Sequence, residues 1–207
     1  MARFHRKDRP GRDRPNPGGR AVPRLWLFTD ERVDEEALFA ALARLPRGSG
    51  VVFRHYTLSG EARRALLHRI GQAARRRGLL LFGTPRDGRR SPLWMDGMHR
   101  PGWAGAGFGR GRSPTLRNAG LLLSMPAHDR RDLIAARRAG ADIVFLSPVF
   151  PTRSHPGSAA LGSIRFGLLA REAGLPVVAL GGMDRTRFRR MRPLGAHGWA
   201  GIDALTR

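Results

Sequence analysis

Eight short apolar segments, separated by mostly helical stretches, constrain the fold of this 207-residue chain more than any other feature. Apolar runs without polar alternation are typical of parallel strands that are covered on both faces. Strands alternating with helices indicate a βα architecture, and a count of eight favours a closed barrel over an open sheet. The predicted strands span residues 25–29, 50–54, 79–82, 93–99, 119–124, 142–146, 176–180 and 197–202.

Five of the intervening segments carry helical signals. In the second of them, Ser59 is a candidate N-cap and Gly78 a candidate stop. The predicted helices span residues 34–45, 59–77, 128–139, 165–173 and 185–191. The fourth strand is expected around residues 94–96, the middle helices are expected to be reduced, and no clear helix follows the eighth strand. The sequence therefore predicts an α/β fold, a single compact (β/α)₈ TIM-type barrel.

The first 23 residues differ in composition from the rest of the chain. They hold seven basic and two acidic residues and no periodic apolar pattern, so they cannot bury enough surface to offset the entropy of ordering them. We predict a flexible basic tail over residues 1–23 and a barrel domain over residues 24–207. The tail is either an electrostatic arm for RNA or anionic surfaces, or a solvated extension, and the second alternative is favoured.

The formal net charge of +22 suggests an anionic partner. However, Lys7 is the one lysine among 38 basic residues, and an arginine excess of this kind also arises from a GC-rich coding sequence. We therefore expect no nucleic-acid partner, although an RNA-associated basic protein remains one alternative. The absence of cysteine excludes disulfides and thiolate metal sites. Without an apolar run of membrane-spanning length or a secretory h-region, we expect a cytoplasmic protein and no membrane partner.

Active sites of such barrels lie at the carboxyl ends of the strands. The strongest local signal there is the turn Gly181-Gly182-Met183 after the seventh strand, where backbone N–H groups can face an anion. The alternative is a tight turn that needs glycine dihedral angles and binds nothing. His128 follows the fifth strand and is a candidate site residue by this position, the alternative being that His128 or Asp129 caps the next helix.

Several of these segments resemble the thiamine phosphate synthase family, which includes the TenI-type thiazole tautomerases. The similarity runs from about residue 24 to residue 205. Thr29-Asp30 resembles the end of the family's first strand, and residues 96–99 resemble its Asp-Gly-Val-His segment. The most specific match is Ser147-Pro148-Val149-Phe150-Pro151-Thr152, which resembles Gly-Pro-Ile-Phe-Pro-Thr. The resemblance implies a barrel that binds a thiazole phosphate; the synthases join it to a pyrimidine diphosphate with Mg²⁺.

The chain departs from the synthase pattern at several positions. Where the synthases carry a metal-binding aspartate after the third strand, this chain has Phe82 and Gly83, and Trp103 stands at the second metal position. The resemblance therefore implies no metal ligand here, and Mg²⁺ only if synthase-type activity is retained. Val52 and Tyr56 replace the family's Gln and Lys around Arg54, which is kept. Other replacements are Pro126 for the serine before His128, His155 for a lysine, and Asp203 for a serine near the phosphate.

An aspartate beside a phosphate needs an explanation, because two like charges about 4 Å apart repel by about 4 kcal/mol at an effective dielectric constant near 20. Either the Asp203 carboxylate points away, or an arginine neutralises it, or the ligand there is not a phosphate.

The resemblance implies His128, Arg54 and His155 as catalytic candidates. It implies Thr152, Gly181, Gly182, Met183 and Asp203 as the substrate and phosphate contacts. The expected partners are a phosphorylated thiazole and, for a synthase, a pyrimidine diphosphate, with a homo-oligomer left open. The functional alternatives are a divergent thiamine-biosynthesis barrel of this family, a tautomerase-like isomerase using His128, and a catalytically inactive ligand-binding member.

Overall fold

In the computed structural model, residues 21–84, 94–101, 118–154, 157 and 159–207 are described. Eight parallel strands pair in chain order and close into one barrel. They are β1 Leu25–Phe28, β2 Gly50–Phe53, β3 Leu80–Gly83, β4 Gly97–His99, β5 Leu122–Ala127, β6 Ile143–Leu146, β7 Val177–Ala179 and β8 Gly198–Gly201. The predicted (β/α)₈ architecture is thereby confirmed.

Six helices surround this barrel in the described residues. They are α1 Glu35–Arg44, α2 Gly60–Arg77, α3 Arg130–Arg138, α4 Gly162–Glu172, α5 Arg185–Met191 and α6 Asp203–Thr206. The side chains of Asp34, Ser59, Asp129 and Asp184 accept hydrogen bonds from backbone N–H groups in the first turns of α1, α2, α3 and α5. Gly78, in the left-handed conformation, ends α2 as predicted.

Three details of the sequence prediction differ from the structure. The fifth strand lies at Leu122–Ala127 rather than over residues 119–124, because residues 124–127 pair with the four residues of β6. The fourth strand lies at Gly97–His99 rather than around residues 94–96; Trp94 is 44% exposed and Met95 packs outside the barrel. A short helix, α6, follows β8, where no clear helix was expected. Residues 1–20 of the predicted tail over residues 1–23, and most of the segments expected to hold reduced middle helices, lie outside the described residues. Just before β1, Val22 and Pro23 accept hydrogen bonds from His197 and Trp26.

The interior of the barrel is filled by aromatic rings. The Trp26 indole packs edge-on against Phe82 and Phe145, with ring centroids 4.9 and 5.2 Å away. A Cβ added to Gly50 would overlap the Trp26 ring, and one added to Gly97 would lie 2.5 Å from Phe82. The two glycines therefore make room for the rings. Above this layer, Phe28 and Phe145 pack against the buried His99.

Candidate functional site at the carboxyl end of the barrel

A cavity of about 240 Å³ opens at the carboxyl ends of the strands. It is bounded by the segments that follow β2, β5, β6, β7 and β8. Seven of the eight residues predicted for the site line it together: Arg54, His128, Thr152, Gly181, Gly182, Met183 and Asp203. The eighth, His155, lies outside the described residues. Ser147, Ser154 and Ala204, which were not singled out as site residues, also line the cavity.

The segment after β6 packs directly on the glycine turn after β7. The Val149 N–H donates to the Leu180 carbonyl at 2.9 Å, and the Phe150 N–H to the Gly181 carbonyl at 3.1 Å. Gly181 and Gly182 have φ values of +91° and +59°, a region that favours glycine. A Cβ on Gly181 would lie 2.7 Å from the Pro148 Cα. The paired glycine is therefore required by close backbone packing as well as by conformation.

The same contacts set the direction of the backbone N–H groups. In a trans peptide, the C=O and the following N–H point in opposite directions. Because the Leu180 and Gly181 carbonyls are bound by the β6 segment, the N–H groups of Gly181 and Gly182 point away from it. These N–H groups and that of Met183 donate to no other group in the part of the chain that the structure describes. Successive N–H groups of this kind can form an anion-binding concavity.

The carboxylate of Asp203, a residue that lines the cavity, has a cationic neighbour. Arg153 Nη1 lies 3.8 Å from Asp203 Oδ2, and the two side chains are 66% and 37% exposed. Of the three explanations for an aspartate beside a phosphate, this ion pair supports neutralisation by an arginine. Because both groups are accessible to water, the pairing offsets only part of the repulsion.

His128 is exposed at the cavity and held in one orientation. Its Nδ1 lies 2.7 Å from the Ser147 carbonyl oxygen. Because a carbonyl can only accept, Nδ1 carries the proton and Nε2 of the neutral ring is left as the acceptor. The cap of α3 is Asp129, whose Oδ1 accepts from the Asp132 N–H at 3.0 Å. The His128 ring is therefore not used for helix capping and is available for proton transfer.

A second group of charges lies at the β1–β2 end. Asp30 accepts two hydrogen bonds from the Arg32 guanidinium, at 2.7 and 2.9 Å, and one from Arg54 at 3.1 Å. Arg32 also donates to Ser154 Oγ at 2.9 Å, which links this loop to the segment after β6. The hydrogen bonds from Arg32 lower the pKa of Asp30 to about 2. Asp30 is thus ionised at neutral pH and neutralises part of the charge on Arg54.

Two further histidines lie beneath or beside the cavity, and both are buried. His99 Nδ1 is 3.0 Å from Ser124 Oγ, and burial, with a smaller effect from Arg54, lowers its pKa to about 3. His55 Nδ1 is 2.9 Å from Thr29 Oγ1, and burial lowers its pKa also. Both rings are therefore neutral near pH 7, and their role in this structure is packing and hydrogen bonding.

The side chains of this site do not fit a Mg²⁺ ion. Mg²⁺ requires oxygen ligands, usually with one or two carboxylates. Asp30 is already bound by two guanidinium groups, and Phe82 points into the barrel interior. Within residues 21–84, 94–101, 118–154, 157 and 159–207, no group of three or more His, Asp or Glu side chains could hold a metal ion. We therefore derive no step through a metal.

Fold and cavity together define the class: an eight-stranded α/β barrel with one candidate site at the carboxyl ends of its strands. A family model described as thiamine monophosphate synthase matches residues 110–205. The putative thiamine-phosphate synthase 2 of Aquifex aeolicus is 27% identical over 187 residues, covering 88% of this chain and 97% of that protein. The thiamine-phosphate synthase of Mycobacterium avium is 29% identical over 203 residues, covering 90% of this chain and 87% of that protein.

A solved structure shares the fold. The thiamine phosphate pyrophosphorylase of Pyrococcus furiosus superposes with a TM-score of 0.68 at 20% identity, covering 90% of this chain and 89% of that one. These comparisons support the thiamine phosphate synthase/TenI family as the one that this chain resembles. The similarity supports a function in thiamine biosynthesis. No helix in the described part of the chain is both long and apolar enough to cross a membrane.

Sequence reasoning missed three contributors to the site. Arg32 and Ser154 connect the two sides of the cavity, and Arg187 contacts the Gly182 carbonyl from outside it. Arg32 follows Asp30 by two residues, so a local ion pair could have been anticipated. The contact between Arg32 and Ser154, by contrast, joins residues that are distant in sequence, and Arg187 lies on a solvent-facing helix. Arginines are too frequent in this chain for one of them to stand out.

Proposed function

We propose that the cavity binds a phosphorylated thiazole and that His128 moves a proton on it, as in a thiazole tautomerase. The observation that carries the proposal is the meeting of His128 and the Gly181-Gly182-Met183 turn in one cavity. The turn would hold the phosphate through N–H groups that have no other partner in the described residues. With the Nδ1–H of His128 bound to the Ser147 carbonyl, Nε2 would be the base.

The chemistry needs one group that accepts and returns a proton. His128 Nε2 would take a proton from a carbon of the ring system and become an imidazolium. The electron pair left on carbon would delocalise through the conjugated ring. The same imidazolium would then protonate a second position, so that no atom is gained or lost. The Ser147 carbonyl would stabilise the imidazolium through the Nδ1–H throughout this cycle.

The test is isomerisation of the phosphorylated thiazole by the wild-type chain and by His128→Gln. The glutamine amide can still donate to the Ser147 carbonyl but cannot accept a proton. We expect kcat to fall by about 10²- to 10⁴-fold with little change in KM. The matched control is His68→Gln, an exposed histidine on α2 whose replacement should leave kcat unchanged.

The measurement also separates the alternatives. A wild-type chain that binds the phosphorylated thiazole without isomerising it would be a ligand-binding member of the family. A chain that joins it to a pyrimidine diphosphate, with a rate abolished by EDTA, would be a synthase. If the chain does not bind the phosphorylated thiazole at millimolar concentration, the tautomerase, ligand-binding and synthase functions are all contradicted. Arg54, as a permanent cation at the opposite end of the cavity, is the residue on which a diphosphate would depend.

A further inference from the structure

Three successive carbonyls of the turn after β7 are bound by groups outside the cavity. The first two, those of Leu180 and Gly181, accept from the backbone N–H groups of Val149 and Phe150 in the segment after β6. The third, that of Gly182, accepts from the guanidinium of Arg187, a side chain on α5. Two of the three peptides of this turn are therefore positioned by backbone, and one is positioned by a side chain.

Arg187 contacts the turn from outside the lining of the cavity. It does not line the cavity, whereas Gly182 and Met183 do. The Ser147–Pro148 bond is the one cis peptide among the described residues, so the Gly182–Met183 peptide is trans. With its carbonyl held on Arg187, this peptide directs the Met183 N–H away from Arg187.

The Arg187 side chain is itself held in place. Its guanidinium carbon lies 4.9 Å from the centre of the Phe150 ring. Its backbone N–H donates to Asp184 Oδ1 at 2.7 Å, and its Nε lies 3.7 Å from Asp184 Oδ2. A cation over an aromatic face and an ion pair to the helix cap both favour this one conformation.

We infer that Arg187 is a positioning residue for anion binding: it fixes and polarises the Gly182–Met183 peptide so that the Met183 N–H faces the ligand. A cationic donor on a carbonyl strengthens the hydrogen bond that the same peptide donates on its other side. This inference rests on the proposed function in one respect, namely that the anion is the phosphate of the ligand.

The experiment uses the full chain, labelled with ¹⁵N and ¹³C, and inorganic phosphate as the probe. The variants are Arg187→Met, which removes the donors but keeps the length, and Arg187→Lys, which keeps the charge. The matched control is Arg190→Met, which removes the same charge from an exposed position on the next turn of α5. Thermal unfolding of each variant verifies that the fold is kept.

Without phosphate, Arg187→Met should shift the Gly182 carbonyl ¹³C and the Met183 amide ¹⁵N resonances, and Arg190→Met should leave both in place. With phosphate, we expect Kd to rise about tenfold in Arg187→Met, about threefold in Arg187→Lys and less than about twofold in Arg190→Met.

Two results would overturn the inference. One is an unchanged Gly182 carbonyl resonance in Arg187→Met. The other is an equal loss of phosphate affinity in Arg187→Met and Arg190→Met, which would make the effect one of general charge. A wild-type chain whose Gly181, Gly182 and Met183 amides do not respond to phosphate contradicts the phosphate site of the proposed function. The ligand-free resonances still decide the role of Arg187 in that case.

Discussion

The two ends of the cavity differ in the chemical groups that form them. The β6–β8 end includes a glycine turn that packs against the Val149-Phe150 segment and whose N–H groups have no partner in the described residues. At the β1–β2 end the surface consists of charged side chains, in which Asp30 already pairs with Arg32 and Arg54. The glycine turn therefore depends on close backbone packing, whereas the β1–β2 end depends on ion pairs between side chains. The first should be most sensitive to an added Cβ, and the second to loss of a charge.

The largest effect is expected from Gly182→Ala, which adds a Cβ 2.5 Å from the Pro151 carbonyl oxygen at a φ of +59°. We expect the Kd for the phosphorylated thiazole to rise about 100-fold and the free energy of unfolding to fall by about 1–3 kcal/mol. Calorimetric titration and urea unfolding measure the two quantities. Gly48→Ala is the control, because Gly48 also has a positive φ, +79°, but no atom within 4 Å of the added Cβ. Equal binding by both variants would show that the turn has no role in recognition.

The next effect concerns the charged end. The pKa of Asp30 is lowered from 3.8 to about 2, so the stability it contributes is present above pH 3.8 and is lost as the pH falls towards 2. Because Arg32 is 42% exposed, we expect Asp30→Asn to cost about 1–2 kcal/mol near neutral pH, less than the full pKa shift implies. Urea unfolding should also show a shallower loss of stability below pH 4 in the variant. Glu36→Gln, an exposed acid on α1, serves as the control. Parallel pH profiles for wild type and Asp30→Asn would contradict this account.

A smaller effect is expected from Asp203→Asn. This replacement removes a negative charge from the cavity lining and releases Arg153 from its ion pair, so phosphate affinity should increase by about three- to fivefold. The gain should shrink at high salt, since the groups involved are exposed. Glu172→Gln is the control: it removes a carboxylate from another exposed ion pair, that with Arg130, and does not line the cavity, so it should have no effect on affinity. A loss of affinity in Asp203→Asn would mean that the carboxylate itself contacts the ligand.

The smallest effect is expected at the contact between Arg32 and Ser154, which joins the two ends of the cavity. Ser154→Ala removes the acceptor for Arg32 on the exposed rim of the cavity. The free energy of unfolding should change by less than about 0.5 kcal/mol, because Arg32 keeps both of its hydrogen bonds to Asp30. Phosphate affinity should stay within about twofold of wild type. A tenfold loss would mean that the two ends act as one unit in binding, and the comparison above would fail.

Local patterns predicted the barrel well. Apolar runs bounded by polar residues gave the strand count, and Ser59 and Gly78 marked the ends of α2 because caps act through neighbouring residues. The fourth strand was misplaced because its pattern is decided by distant partners. Gly97 lies in the strand since its missing Cβ makes room for Phe82, whereas apolar Trp94 and Met95 lie before it.

As with the barrel, the predicted part of the candidate site is the part that depends on local position in the sequence. Gly181 was predicted from its position after a strand, and His128 from such a position together with the family resemblance; both line the cavity. The pairing of Asp30 with Arg54 joins the ends of β1 and β2, and Arg187 acts through a carbonyl that no side-chain pattern records. Such contacts depend on three-dimensional distance. The predicted role of His155 and the predicted tail stay predictions.

The rings that fill the barrel interior have an evolutionary consequence. Trp26 occupies space that a side chain on Gly50 would need, and Phe82 does the same at Gly97. A larger residue at either glycine is tolerable only if its aromatic neighbour becomes smaller at the same time. These positions should therefore covary among related sequences, and a double replacement such as Trp26→Leu with Gly50→Ala should cost less than the sum of its single replacements.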